Sequence, residues 1–537
     1  MQTARLLQQE NNLLRQIIDE KDHVLAEKNQ QTEQQKIFLL QQSNLIDEQK
    51  NLIKKKNDYI AHLEEWIKLQ RQKKFGASSE KVPASQLDLF NEAEVIVEET
   101  VCDEEDSIAV PSHTRRKKPR VSIPADLPRE EIIYDISDKE KVCPHDGTEL
   151  RAIGSEDHEQ LDIIPAQMKA IVHKRLKYAC PCCEQHVAIA AKPKQPIEKS
   201  IASPGLLAFV ATQKYCDALP LYRQSEIFQR IGIRLDRANL ANWMIQCGQL
   251  IQPLMNLLQE HLLERTLVHM DETTLQVLNE PGKTPQSKSY LWLRASFSER
   301  PIILYHYDPT RSQTVPLELL NDSVQALMVD GYQGYQRACD EYGITRLGCW
   351  QHARSKFVAV TKIQAKGKTG KAHQALAYIQ KLYQIERCIK DEPPDKRRDV
   401  RQQDAKPILD QLQTWLQKSL PHVPPKTVLG DALQYLHLQW DRLIRYVDNG
   451  LYPIDNNSGE NQMRPFVVGR KNWLFANSQA GAKASANLYS LIQTAKANQL
   501  NPYEYLKHVF KALPNANTVE DIENLLPWKV TKTISHS

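Results

Sequence analysis

The first 72 residues contain neither proline nor glycine, and apolar side chains recur in them every seven positions. One series runs Ile18, Leu25, Leu39, Ile46, Ile53, Ile60 and Ile67. A second, one residue earlier, runs Val24, Phe38, Leu45, Leu52, Tyr59 and Trp66. A stripe kept over so many heptads predicts one long helix that pairs with another helix. The seam is imperfect. The position three residues before the second series is apolar at Leu7, Leu14 and Leu63 but Lys or Gln at Lys21, Lys28, Gln35, Gln42, Gln49 and Lys56. A weak or partner-dependent coiled coil fits best; the alternative is an extended amphipathic helix packed on its own chain.

The whole chain is long, 537 residues with 41% hydrophobic content, which predicts about three or four units. No apolar run approaches the roughly 20 residues of a membrane span. The N-terminal MQTARLLQQENN has no apolar core of a secretory signal. The expectation is a cytoplasmic protein with no membrane partner. Its ten cysteines are then thiols or metal ligands rather than a disulfide framework. The balance of 70 basic and 66 acidic residues gives +4, so any nucleic-acid surface must be local.

KKFGASSE ends the helix at Gly76 and two serines. A stretch rich in acids follows, with no Lys or Arg until Arg115, and then the basic TRRKKPR. This is linker composition. Next, Cys143-Pro-His145-Asp146-Gly and Cys180-Pro-Cys182-Cys183 flank strand-like sequence, the pattern of a zinc ribbon. Cys180 and Cys183 have full C-x-x-C spacing. Asp146 stands where a second Cys would complete the first pair, so the ligand set is Cys143, Asp146, Cys180 and Cys183, with His145 as the alternative fourth ligand. The other reading is a packed knuckle that has lost its metal.

Residues 200–260 read as helices begun by Pro204 and Pro220. A turn at Gly232 leads to LDRANLANWMIQCG, with Asp236 as the expected N-cap. Helix, short turn, helix is the helix-turn-helix pattern, and Arg237, Asn239 and Asn242 near the second helix start are candidate DNA contacts. Any helical hairpin gives a similar pattern.

From residue 265 the chain turns β-rich. RTLVHMDETTLQV, SYLWLRASF and RPIILYHYDP read as antiparallel strands. A short helix follows over Gln313–Leu320, then a buried strand ending at Asp330, and ITRLGCWQH as a fifth strand. The order βββ-α-β-α-β is that of a ribonuclease-H-like fold. In that topology the first and fourth strands are adjacent, so Asp271 and Asp330 converge on one centre. Two Mg²⁺ (or Mn²⁺) ions held by carboxylates suit phosphodiester chemistry. Glu460, on a helix after a charged helical insertion, is the candidate third acid. Arg464, Arg470 and Lys471 are candidate phosphate contacts. His352 and Arg354, just past the fifth strand, are candidate DNA contacts, with a core role the alternative for Trp350 and His352.

The stretches KKFGASSEK, CPHDGTEL…YACPCC, HMDET, VDGYQGY, CWQHARSKF and DNNSGENQMRPFVVGRKNWLFANS resemble, in order, the transposases of the insertion-sequence 66 family. The chain departs from many relatives at Ala77 and Asn461. The resemblance implies a bacterial, nucleoid-associated DDE transposase with Asp271, Asp330 and Glu460 as its triad. It would bind terminal inverted repeats, cleave the 3′ ends with two metal ions and transfer them to target DNA. It would act as a homo-oligomer, with accessory proteins of the same element. The rivals are a non-cleaving DNA-binding protein and a nuclease without strand transfer.

The expected fold is multidomain α+β. The divisions are a coiled-coil helix (1–75), a linker (76–128), a zinc-finger-like unit (129–195) and a helix-turn-helix-like region (196–262). They continue as the first part of a ribonuclease-H-like core (263–357), a helical insertion (358–450), the second part of the core (451–500) and a C-terminal segment (501–537).

Overall fold

The computed structural model describes residues 2–75, 131–132, 135, 141, 145, 167–179, 187–363 and 370–534. They fall into two units, one of residues 102–193 and one of residues 1–101 with 194–537. Among the described residues no helix is long and apolar enough to cross a membrane.

The heptad region is one helix, α1 (Gln2–Phe75), and Gly76, where it was expected to end, lies outside the described residues. Its stripe residues Ile18, Leu25, Leu39, Leu45, Ile53 and Ile60 are exposed. In the smaller unit, β1 (Lys177–Ala179) and β2 (Val187–Ile189) pair antiparallel, with Ala179 opposite Val187. Cys143, Asp146, Cys180 and Cys183 lie outside the described residues, and His145 is exposed.

Four helices precede the sheet: α2 (Pro204–Tyr215), α3 (Leu221–Arg230), α4 (Arg237–Leu250) and α5 (Gln252–Leu263). Pro204 opens α2 with Ser203 capping Leu206 N–H at 3.2 Å, the pairing that satisfies an orphan donor at a helix start. Asp236 is the N-cap of α4 by position, but its side chain makes no capping bond; it pairs with Arg234 at 3.5 Å instead.

The sheet contains β3 (Leu267–Asn279), β4 (Lys288–Ser296), β5 (Ile302–Asp308), β6 (Ala326–Val329) and β7 (Thr345–Gly348) in the order β5-β4-β3-β6-β7. The first three strands are antiparallel neighbours, whereas β6 runs parallel to β3 and β7 parallel to β6. Helices α6 (Thr314–Leu319) and α7 (Gln336–Tyr342) pack on one face with Val268, Met270, Trp292, Leu327 and Val329.

The fifth strand is shorter than its sequence suggests. Residues from Trp350 onward belong to a helix, α8 (Trp350–Ile363), so CWQH leaves the strand at Cys349. The cause is tertiary: the Trp350 indole is buried in the helical layer and donates to Leu443 O at 2.8 Å. The expected boundary at residue 357 therefore falls inside α8. That layer continues through α9 (Lys371–Cys388), α10 (Pro394–Val400), α11 (Lys406–Ser419) and α12 (Val428–Leu443) around Phe357, Leu382, Leu412, Leu433 and Trp440.

The chain then returns to the sheet through α13 (Asn457–Trp473), a short β8 (Ala476–Ser478) pairing with the far end of β3, and α14 (Gln479–Ala497). α14 covers the other sheet face, and its hydroxyls also close an edge. Tyr305 N–H donates to Ser490 Oγ at 2.7 Å and Ile303 N–H to Thr494 Oγ1 at 3.0 Å. Strand β5 thus has its open backbone groups satisfied by side chains, which blunts an edge that would otherwise pair with another chain. Three small helices, α15 (Pro502–Ala512), α16 (Val519–Glu523) and α17 (Pro527–Ile534), finish the core.

Candidate active site

Asp271 sits in the middle of β3, and Asp330 is the first residue after β6. These strands are parallel neighbours in the register His269↔Met328. Carrying that register two residues further sets Asp330 beside Asp271. Each carboxylate is oriented by backbone: Asp271 Oδ1 accepts from Glu272 N–H at 2.8 Å and Asp330 Oδ1 from Tyr332 N–H at 2.9 Å. The turn after Asp330 is held from below by the buried Arg346, which donates to Asp330 O at 3.1 Å and Tyr332 O at 2.7 Å.

Glu460 arrives from a distant part of the chain, in the first turn of α13. What brings it in is Asn456, the buried N-cap residue of that helix. Asn456 Nδ2 donates to Met270 O at 3.0 Å, and its Oδ1 lies 2.8 Å from His269 Nδ1. Its backbone N–H points at Cys349 Sγ, 3.3 Å away. One side chain and its amide thus fasten the helix start to β3 and to the residue after β7. Gly459 lets the helix approach: a Cβ there would stand 2.6 Å from Asn456 Oδ1 and 3.3 Å from His269 Cβ. Asp455, the residue before the N-cap, accepts instead from Tyr383 OH at 2.7 Å and Asn457 N–H at 3.1 Å.

The electrostatics show that the three acids share one space. Burial, then the negative charges of Glu272, Glu460 and Asp330, push the Asp271 carboxyl well above the usual range. Burial also raises Glu460; His352 opposes the shift, while Asp455 and Asp330 add to it. Buried carboxylates that repel one another have their ionised forms restored by a cation placed among them. The donor set is all oxygen, which suits a hard ion such as Mg²⁺.

A further acid went unnoticed in the sequence, although it is the next letter of HMDET. The Glu272 side chain is 3% exposed, receives Tyr335 OH, and pairs with Arg311, whose Nε donates at 2.8 Å. Arg311 in turn lies 3.9 Å above the Tyr332 ring. Asn456 was also unforeseen.

The remaining candidates separate by exposure. Arg237, Asn239 and Asn242 are exposed at the start of α4, and Lys471 is exposed near the end of α13. Arg464 is half-buried on α13, one turn beyond Glu460. Arg470 is turned to structure: it donates to Thr273 Oγ1 and Thr274 Oγ1, each at 3.2 Å, and to the Thr274 carbonyl. Arg354 is 5% exposed, so it is not available to a DNA backbone in this conformation. Trp350 is core, whereas His352 is half-exposed beside Glu460, its Nδ1 3.5 Å from Oε1.

The model of the transposase IS66 family matches residues 199–484, the span that holds all three acids and their strands. The chain belongs to the IS66 family of transposases. Its flanks match further models from the same family: a zinc-finger binding domain over 140–184, an IS66 C-terminal element over 490–528, and a region described as transposase C of IS166 homeodomain over 62–132. Among similar proteins are three uncharacterized ones of Sinorhizobium fredii. The protein y4qI is 30% identical over 88% of this chain and 89% of its own length. For y4jD the figures are 31%, 76% and 81%, and for y4hP 27%, 88% and 89%. The family defines the chemistry class: this is a DDE-type transposase, an enzyme that binds and cleaves DNA and transfers strands.

Proposed function

We propose that Asp271, Asp330 and Glu460 are the acidic triad of this transposase and hold two Mg²⁺ (or Mn²⁺) ions. The observation that carries the reading is geometric: the β3–β6 register sets Asp330 beside Asp271, and the Asn456 fastening brings Glu460 at the start of α13 to the same strand, where its charge and that of Asp330 both act on Asp271. The sheet order, with three antiparallel strands followed by two parallel ones, supports a ribonuclease-H-like core. When bound, the ion pair supplies charge neutralisation at the phosphate and a more acidic attacking hydroxyl. The chain's own part is to hold the carboxylates fixed and close together, so that a cation bound among them restores their ionised forms. Asp271 and Asp330 are set by backbone N–H groups, and Glu460 by the Asn456 fastening.

Arg464 and the exposed Lys471 on α13 are read as phosphate contacts, with Arg470 securing their helix to β3. Arg237, Asn239 and Asn242 on α4 offer an exposed polar helix start to the terminal repeats. The β1–β2 pair brackets the Cys180–Cys183 segment, as expected of a zinc knuckle completed by Cys143 with Asp146 or His145. The exposed stripe of α1 is read as the helix that joins protomers so that two ends can be synapsed. The reactions proposed are 3′-end cleavage at the inverted repeats and strand transfer into target DNA, in the bacterial nucleoid and with accessory proteins of the element.

The deciding experiment is metal-dependent nicking of a labelled transposon end. Asp271→Ala, Asp330→Ala and Glu460→Ala are each expected to cut at least about 10²–10³-fold more slowly than wild type, while still binding the end. Three variants that cut like wild type would end the assignment.

A further inference from the structure

Cys349, the residue after β7, and His352, in the first turn of α8, face Glu460 across a small gap. Cys349 Sγ, His352 Nδ1 and a Glu460 oxygen all lie within 4.8 Å of one another. Glu460 Oε1 is 3.5 Å from His352 Nδ1 and 4.0 Å from Cys349 Sγ. Tetrahedral zinc, with bonds of about 2.0–2.3 Å, sets its ligand atoms roughly 3.3–3.8 Å apart. The His352–Glu460 separation already fits, and the Cys349 sulfur has to draw in by up to roughly 1 Å.

Two further observations point to an ion. The His352 Nδ1 atom is buried and makes no hydrogen bond. The Cys349 sulfur is also buried, yet two backbone N–H groups point at it, those of Asn456 at 3.3 Å and of His352. Outer donors of this kind orient a metal-binding sulfur, while burial and the charges of Asp455 and Glu460 keep it a thiol until an ion displaces the proton. Access is from the side of His352, whose side chain is 39% exposed.

We propose that Cys349, His352 and Glu460 bind a borderline divalent cation of the zinc type, so that Glu460 is shared between this ion and the acidic triad. A sulfur–nitrogen–oxygen set selects zinc over magnesium, because the hard ion gains little from thiolate. Binding displaces the Cys349 thiol proton to solvent as the metal–sulfur bond forms, with no change of oxidation state. The three side chains leave a fourth position for water or a phosphate oxygen. The sharing of Glu460 rests on the triad assignment above; the site itself does not.

Cobalt(II) is the probe, since thiolate ligation gives it a charge-transfer absorption. It is titrated into the full chain carrying Ser at Cys143, Cys180, Cys182 and Cys183, which removes the other cysteine cluster. The expected result is one cobalt bound with a thiolate band. The band is lost on adding Cys349→Ser, and it weakens with His352→Ala and with Glu460→Gln. In parallel, the wild-type chain is compared with its Cys349→Ser variant alone, so the test does not depend on the multiple variant folding. A thiolate band unchanged by Cys349→Ser overturns the site, and one unchanged by Glu460→Gln overturns the sharing. Asp271→Ala separates the two ideas. It is expected to keep the cobalt band while losing nicking; if nicking persists, the triad assignment fails and the cobalt result stands by itself.

Discussion

Asn456 carries more of the site's geometry than any of the acids. Its amide spans His269 and the Met270 carbonyl, and its backbone N–H meets the Cys349 sulfur. Asn456→Leu would leave the buried His269 ring and the Met270 carbonyl without partners, a cost of about 1–3 kcal/mol for each orphan. The expected result is a lower urea midpoint together with a fall in nicking, because Glu460 loses its anchor. An unaltered midpoint would count against the fastening role. His306 makes a pH prediction away from the acids. Burial, with help from Arg294 and Lys483 and against Asp308, lowers its pKa from 6.5 to about 4. The unfolded chain therefore binds a proton between these values that the folded chain refuses. The stability from this group is present above pH 6.5 and is lost as pH falls toward 4, by an amount of order 1–3 kcal/mol. Urea unfolding at pH 7 and 4.5 should show a smaller drop for His306→Asn than for wild type.

Elements meet at a few points where substitution is costly. α4 and α14 cross at Gly248, where an added Cβ would lie 2.6 Å from the Ala484 Cα, a backbone atom that no rotamer change can move. Gly248→Ala is expected to destabilise the core by about 1–3 kcal/mol or more, read from the urea midpoint. In the helical layer, Arg401 begins a π-helical turn between α10 and α11 and is fully buried. It grips Glu386 with two bonds of 2.8 and 2.6 Å and donates to the carbonyls of Tyr446 and Asn449, each at 2.9 Å. Arg401→Ala leaves the Glu386 charge only the longer 3.9 Å contact with Arg397 and should cost about 3 kcal/mol. Arg401→Lys should not restore stability, because an ammonium cannot make the paired bonds. Equal midpoints for wild type and the Lys variant would refute that.

For the whole molecule the open question is what covers α1. The described side chains of its stripe are exposed, with Leu25 and Leu39 each at least 60% accessible. An isolated helix with Lys and Gln in its seam gains little from propensity, so a helical partner is expected to stabilise it. Removing residues 1–75 should lower the oligomeric state in sedimentation and abolish the joining of two ends, while single-end nicking persists. A truncated chain that sediments like wild type would disprove the role.

The sequence alone determined whatever depends on neighbours a few residues apart. The seven-residue period specified α1, runs of apolar and aromatic residues marked β3 to β5, and Pro204 marked the start of α2. Asp271 and Asp330 were legible as a pair because strand order alone makes their strands neighbours. Tertiary structure decided the rest. Asn456 acts on His269 across a sequence separation of 187, and Cys349 approaches Glu460 across 111. Nothing local announced either, although Cys349-x-x-His352 was a usable spacing. Likewise Trp350 ended a strand and began a helix because its ring found a pocket made by α12. Local pattern sets which backbone each segment can adopt. Long-range burial sets where strands stop and which polar atoms meet, since those energies exist only once distant segments have packed.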